Sequence, residues 1–169
     1  MAVTIVATAK ATNANAYDTL ANAETYIESR LGYATWDLAA TTDDIKNRAL
    51  RMATDLLESE EWMGTVTTST QRLRWPRAGT VDADGWTYDA DVVPRPIKEA
   101  MFEYALALVD GTFEVAPTGL EKFENVKVGS LDVTPRSSYK ASKMPDHVRA
   151  IIAHLLASVS DIAARTVHS

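Results

Sequence analysis

The stretch LRWPRAGTVDADG, residues 73–85, separates two helical parts of the chain. It places a tryptophan between two arginines, follows it with a proline and ends on two aspartates before a glycine. The Asp84–Gly85 pair predicts a tight hairpin turn with a positive φ, because apolar residues typical of strands flank it on both sides. Residues 65–93 as a whole lack helical periodicity, so the sequence predicts an irregular segment that contains a small hairpin.

Two predicted helices precede this segment. The first is capped by Asp18 or Thr19 and stops at Gly32, and the second starts at Thr41 or Thr42, whose hydroxyls can accept from free backbone N–H groups. Apolar residues recur at helical spacing in both. The residues predicted to face the core are Leu20, Ala23, Ile27 and Leu31 in the first helix, and Ile45, Ala49, Met52 and Leu56, with Ala53 and Leu57 widening the stripe, in the second.

Two more helices are predicted after the segment. The second helix ends near Trp62 and Gly64. The third opens with Pro94 and Pro96, where a missing N–H costs nothing, and ends at Gly111. The last helix opens with Pro145. The residues predicted to face inward are Ile97, Met101, Tyr104 or Ala105, and Leu108 in the third helix, and Val148, Ile152, Leu155, Val159 and Ile162 in the last.

Short β elements complete the predicted fold. Residues 126–133, VKVGSLDV, alternate apolar and polar side chains around a Gly-Ser pair and predict a strand or small hairpin. Residues 1–9 alternate weakly and predict a short strand or arm, and Trp36 is expected to plug the core. The sequence therefore predicts a mainly α protein: a small bundle of about four helices with short β-hairpin elements and an N-terminal strand or arm.

The whole chain, residues 1–169, is predicted to form one domain, with an N-terminal arm over residues 1–13 and a C-terminal tail over residues 157–169. The net charge is −6 and the sequence pI is near 5.0, which argues against nucleic acid as the main ligand, since dedicated binders tend to be basic. Cysteine is absent, so disulfides and thiolate metal sites are excluded. Apolar runs are too short to span a bilayer and no signal peptide is expected, which indicates a soluble intracellular protein with no membrane partner.

A calcium loop is one alternative for the Asp-rich turn. With Gly85 as the sixth position, Asp82 and Asp84 fall on ligand positions, but Thr80 stands where the first carboxylate should be and Asp91 where a bidentate Glu is needed. The hairpin interpretation is favoured, and no metal ligands are assigned.

Catalytic motifs are missing from the sequence. His147 and His154 are seven residues apart, too far to hold one metal together, and His168 stands near the end of the chain. No GxSxG motif or phosphate-cradling glycine loop is present. We expect no enzymatic activity, no catalytic residues and no cofactor.

Trp75, between Arg74 and Arg77, allows a second alternative, in which its ring stacks on a nucleic-acid base while the arginines hold phosphate. The competing interpretation buries the ring in the core, with Arg77 bracing a loop or a partner. Burial is favoured, because the chain is acidic and no larger cluster of basic residues surrounds this group in the sequence.

An ordered set of sequences carries a resemblance to a known family. ANAYDTLANAETYIESR (residues 14–30), RMATDLL (51–57), the stretch 73–85 and VVPRPIKEAMFEYALALVDG (92–111) follow one another in the chain. Together they resemble the head–tail connector, or adaptor, proteins of tailed bacteriophages, over about residues 12–156. Members of this group are often labelled DnaT-like single-stranded-DNA-binding proteins.

The resemblance implies a structural protein of the phage neck. Copies are expected to assemble into a dodecameric ring beneath the portal protein, extending the DNA channel and docking the next neck or tail protein in the virion. Double-stranded DNA would pass through without specific binding, which suits an acidic wall. The alternative implied by the DnaT-like label is binding of single-stranded DNA.

The residues predicted to form interfaces fall in two groups. Arginine and tryptophan are enriched at interface cores, and a projecting hairpin suits a contact with a neighbour or the portal. The polar stretch TPRSSYKASKMP is cationic in an otherwise acidic chain, and the part from Lys140 onward is expected to contact the portal. The candidates are Trp75, Arg77, Asp82 and Asp84 at the hairpin, and Arg136, Lys140, Lys143 and Arg149 further along.

Overall fold

A computed structural model describes residues 2–38, 40–111, 126–128, 131–133 and 144–157. The helices in this part are α1 (Leu20–Ile27), α2 (Tyr33–Trp36), α3 (Asp43–Leu57), α4 (Arg95–Asp110) and α5 (Asp146–Ile152), which continues as a 3₁₀ turn at Ala153–Leu155. The strands are β1 (Thr65–Val66), β2 (Arg77–Ala78), β3 (Val126–Val128) and β4 (Leu131–Val133), paired antiparallel as β1 with β2 and β3 with β4. The prediction of a mainly α fold with short hairpins is confirmed.

Helix α4 is the centre of the core, and α1, α2, α3 and α5 all pack against it. Pro94 is its N-cap and Pro96 lies in its first turn, where no backbone N–H is required. Gly111 ends it with φ at 66°, a conformation open to glycine. Its predicted core residues Ile97, Met101, Tyr104 and Ala105 are buried, while Leu108 is half-buried.

Helix α3 begins after Thr42 as predicted, but it ends at Leu57, before the predicted end near Trp62 and Gly64, and its buried face is rotated. Ile45 and Met52, predicted to face inward, are 44% and 42% exposed. Lys46 is buried in their place, with its Nζ 2.9 Å from Glu24 Oε1. Thr54 is also buried, and its hydroxyl donates to the carbonyl of Leu50 four residues earlier. Polar side chains that find such partners can lie inside, and hydrophobic periodicity alone does not reveal them.

Helix α1 is shorter than predicted. Thr19 is the N-cap, and its hydroxyl accepts from the backbone N–H of Asn22. The helix ends at Ile27 instead of Gly32, so Leu31 is fully exposed and its predicted core position is wrong. The prediction for Trp36 is confirmed, because only 1% of the residue is exposed.

Residues 2–17 contain no strand, so the N-terminal segment is an arm and not a strand. Its start is tied to α3, where the backbone N–H of Val3 donates to Asp44 Oδ1 at 2.8 Å. Its middle is tied to Asn15 by two hydrogen bonds. The side-chain oxygen of Asn15 accepts from the backbone N–H of Val6, and the backbone N–H of Asn15 donates to the Val6 carbonyl. The arm therefore lies against the body through side-chain and backbone hydrogen bonds.

The C-terminal helix closes the bundle and contacts the segment after α3. Val148, Ile152 and Leu155 are buried as predicted, while Val159 and Ile162 lie outside the described residues. The backbone of Leu156 bridges to Trp62 in antiparallel fashion. None of the described helices is long and apolar enough to cross a membrane.

Candidate nucleic-acid interface

Trp75 and Arg77 lie inside the subunit. The Trp75 ring is 1% exposed and meets the Trp62 ring edge-on, with centroids 5.5 Å apart. The Arg77 guanidinium donates to the carbonyls of Met63 at 2.6 Å and Gly64 at 2.7 Å, beside the β1–β2 pairing. The interpretation that Trp75 is buried is confirmed. Both residues are buried within the subunit, at 1% and 7% exposure, and their role at an interface stays a prediction.

Glu58, at the end of α3, holds the start of this loop. Its carboxylate accepts from the backbone N–H of Arg74 at 2.9 and 3.1 Å, and the Tyr17 hydroxyl donates to it. Burial raises the pKa of Glu58 above its ordinary value, an effect that outweighs the lowering by these two hydrogen bonds. Burial also raises the pKa of Tyr17 well above 10.0, and the Glu58 charge adds to that rise.

Residues 80–88 form a hairpin, here called the Trp86 hairpin. The backbone N–H of Asp82 donates to the Trp86 carbonyl at 2.8 Å, and Gly85 has φ at 88°, which confirms the predicted turn. Asp82 Oδ1 accepts from the backbone N–H groups of Asp84 and Trp86 at 3.0 and 2.8 Å. That carboxylate therefore caps the turn. In the described part of the chain, no three His, Asp or Glu side chains come together as metal ligands.

The tip of the Trp86 hairpin is acidic and aromatic. Trp86 is 76% exposed, and Val81 beside it is 41% exposed. From Gly79 to Pro94 the sequence has four aspartates and neither lysine nor arginine. A phosphate backbone would be repelled there, so the hairpin tip does not suit nucleic acid.

Most cationic side chains of the described residues are neutralised by carboxylates. The solvent-exposed pairs among them contribute little to stability, and all of them reduce the positive charge available to phosphate. The pairs are Lys10–Asp91, Arg30–Glu103, Lys46–Glu24, Arg48–Asp44, Arg74–Glu61, Arg95–Glu99, Lys98–Asp18 and Arg149–Glu60. Arg51 and Arg72 are exposed and form no ion pair with any other described residue.

One surface of this acidic protein is formed by two stretches that contain no acidic residue. Residues 1–17 and residues 62–81 contain no Asp or Glu. The two stretches meet where the backbone N–H of Arg72 donates to the Ala11 carbonyl at 3.3 Å. We call residues 8–13 and 69–72 the Lys10–Arg72 surface. Its exposed hydroxyls and amide belong to Thr8, Thr12, Asn13, Ser69 and Thr70, and its cations are Lys10 and Arg72.

Two local devices hold this surface in place. Lys10 has φ at 63° inside a turn closed by the Ala11 N–H donating to the Thr8 carbonyl, an unusual conformation for a lysine. Gln71 fixes the other loop: its amide N–H group donates to the carbonyls of Leu73 and Pro76 at 2.8 and 3.1 Å. The loop carrying Arg72 is thereby anchored to the buried Trp75–Pro76 segment.

A family model described as "Putative DnaT-like ssDNA binding protein" matches residues 1–168. The chain belongs to this family. No curated protein and no solved structure matches it. The family description names single-stranded DNA, which supports the DnaT-like label given to the sequence. It mentions neither a portal nor a phage neck, so the comparisons do not support the assignment as a head–tail connector.

The remaining predicted interface residues of this DnaT-like chain are spread over the molecule. Asp82 and Asp84 lie in the Trp86 hairpin, and Arg149 on α5 is within 3.8 Å of Glu60. Arg136, Lys140 and Lys143 lie outside the described residues. Among the members of this set that the structure describes, Asp82 and Asp84 lie together and Arg149 lies apart from them.

Reasoning from the sequence missed Lys10 and Arg72. The signal that identifies them is the absence of Asp and Glu from residues 1–17 and 62–81 in a chain with 23 acidic residues. Only the fold shows that these two stretches share one surface.

Proposed function

We propose that this DnaT-like protein binds single-stranded DNA through the Lys10–Arg72 surface, in a binding and not a catalytic role. One observation carries the proposal: Arg72 presents an exposed guanidinium free of ion pairs within the described residues, on a surface whose own residues include no Asp or Glu. The family description supports the same ligand. Hydroxyl and amide groups such as those of Thr12 and Asn13 are common donors to phosphate and sugar oxygens.

The expected binding is weak and strongly dependent on salt. Two cations neutralise about two phosphates, so log K should fall with log salt with a slope of about −1.4 for a single strand. Lys10 reaches a phosphate only by leaving Asp91, which lowers the affinity further. The net charge of −6 opposes association from a distance.

The test is a fluorescence anisotropy titration of a labelled oligothymidylate at several salt concentrations. Arg72→Ala and Lys10→Ala should each weaken binding and reduce the salt slope by about 0.7. Arg51→Ala is the matched control, because Arg51 is also exposed and free of ion pairs among the described residues but lies on α3. Equal affinities for the Arg72→Ala and Arg51→Ala proteins would contradict the proposal.

We infer a second candidate function, the ring-forming connector of a phage neck, from a different observation. Most described cations are paired with carboxylates, and the Trp86 hairpin carries Asp82, Asp84 and an exposed indole. Such a surface suits a conduit for double-stranded DNA in the virion, with the hairpin contacting a neighbour, the portal protein or the next neck or tail protein.

Negative-stain electron microscopy of the protein, alone and mixed with a portal protein, tests this second candidate. A twelve-fold ring on the portal is the expected result for a connector. Separate particles with no added density on the portal would exclude the connector function and would leave the proposal of DNA binding in place.

A further inference from the structure

We propose that two copies of the chain associate by placing the Trp86 hairpin of each on the Lys10–Arg72 surface of the other. This contact goes beyond DNA binding and does not depend on it. It follows from the exposure of Trp86 and from the distribution of charge along a single chain.

The Trp86 hairpin has the properties of a preorganised contact. Trp86 is 76% exposed, yet its backbone is fixed by the bond to Asp82 and by the Tyr88 N–H donating to the Thr80 carbonyl at 3.0 Å. Thr80 is buried, and the Tyr88 hydroxyl lies 3.3 Å from His154 Nε2, which anchors the stem to the body. A rigid loop loses little entropy on binding, and an indole is a frequent anchor of protein interfaces.

Charge identifies a second copy as the partner. Residues 79–94 carry four aspartates without a cation, whereas residues 1–17 and 62–81 carry Lys10, Arg72, Arg74 and Arg77 without an acid. Of these cations, Lys10 and Arg72 belong to the Lys10–Arg72 surface. Lys10 is paired with Asp91 of its own subunit, whereas Arg72 has no ion pair within the described residues. The exposed Arg72 and the acidic, aromatic Trp86 hairpin on the same chain are therefore complementary. Nucleic acid would be repelled by the aspartates, so it does not fit the hairpin.

The relative position of the two patches favours two-fold symmetry. Lys10 contacts Asp91, just beyond the hairpin, so the cationic surface and the hairpin lie side by side on one subunit. A two-fold axis between neighbouring complementary patches makes each contact twice and closes the assembly as a dimer. A head-to-tail ring would instead need the two patches on different sides of the subunit.

The experiment is sedimentation velocity on the full chain without DNA, using two charge reversals. In a two-fold dimer, Asp84→Lys sets a lysine against Arg72 in both contacts, and Arg72→Asp sets an aspartate against Asp84 in both. Each variant alone should therefore be a monomer. In an equimolar mixture of the two variants, the new lysine of one copy meets the new aspartate of the other, and the unchanged Arg72 meets the unchanged Asp84. Dimers that contain one copy of each variant should therefore form.

Two further variants test the contribution of the indole and the specificity of the charge reversals. Trp86→Ala changes an exposed side chain and should fold, and it should weaken the dimer by about tenfold or more. Arg51→Asp on α3 is the control and should leave the dimer unchanged. A monomeric parent protein at all soluble concentrations, a mixture that stays monomeric, or rings larger than dimers would each overturn the proposal. Because the assay contains no oligonucleotide, such a failure would leave the proposed DNA binding untouched.

Discussion

Trp75 and Trp86 stand in the same non-helical segment between α3 and α4, but the structure uses them in opposite ways. Trp75 is buried against Trp62, in the half of the segment held by the Arg77 guanidinium. Trp86 is exposed at the tip of a hairpin whose turn is capped by Asp82. The first half therefore contributes to the stability of the fold, while the second half leaves an aromatic side chain available for contact.

The largest expected effect comes from breaking the buried half. Trp75→Ala removes a ring that packs against Trp62, and the surrounding side chains can fill only part of the space. We expect the free energy of unfolding to fall by about 3–5 kcal/mol. Urea denaturation followed by circular dichroism measures this, and a loss below about 1 kcal/mol would show that the loop is not part of the core.

A smaller loss is expected at Gly64, which lies where β1 begins. Gly64 has φ at 68°, and a Cβ there would lie 2.3 Å from the Ala78 carbonyl oxygen and 2.7 Å from Thr80 Cγ2. The backbone oxygen cannot move without disturbing the β1–β2 pairing, so Gly64→Ala should destabilise the protein by about 2–3 kcal/mol.

Gly79→Ala is the matched control for this substitution. Gly79 has φ at 73°, but a Cβ there would meet nothing within 4 Å. Only the conformational penalty of about 1–2 kcal/mol applies, so the difference between the two variants measures the steric clash alone. Equal melting temperatures for the two variants would show that the chain near Gly64 relaxes freely.

The carboxylate that holds the buried half makes stability depend on pH. Burial raises the pKa of Glu58 above its ordinary value of 4.5, so the folded state holds the proton more tightly than the unfolded state. The stabilisation that follows is fully present below pH 4.5 and is lost as the pH rises through the folded pKa. Relative to Glu58→Gln, the parent protein should therefore lose unfolding free energy between pH 4.5 and neutrality. A difference between the two proteins that stays constant with pH would show that Glu58 titrates normally.

Local signals in the sequence predicted most of the fold. Pro94, Pro96 and Gly111 gave the start and end of α4, and Asp84–Gly85 gave the hairpin turn, because each of these residues acts on its own backbone. The predicted buried face of α3 was wrong, because burial of a helix face depends on side chains that lie far away in the sequence. Lys46 is buried with its ammonium group paired to Glu24 on α1.

The candidate site was harder to predict than the fold. The sequence drew attention to Trp75 and Arg77, yet Arg77 is occupied by carbonyls of Met63 and Gly64, and no sequence pattern specifies that pairing. The Lys10–Arg72 surface requires two segments far apart in the chain to meet. Their shared lack of acidic residues was visible in the sequence, but their contact follows only from the fold.

The smallest expected effect on stability is that of Trp86→Ala, and it sharpens the comparison between the two tryptophans. Since the Trp86 side chain is 76% exposed, its removal should change the free energy of unfolding by less than about 0.5 kcal/mol. Intrinsic fluorescence gives an independent readout, because Trp36, Trp62 and Trp75 are all buried. The variant should emit at shorter wavelength than the parent protein and should be less accessible to acrylamide.

If Trp86→Ala instead destabilises the fold as much as Trp75→Ala, the hairpin packs on its own subunit and is not a free contact surface. If the parent emission itself moves to shorter wavelength as the protein concentration rises, and the variant emission does not, the Trp86 ring becomes buried between copies of the chain.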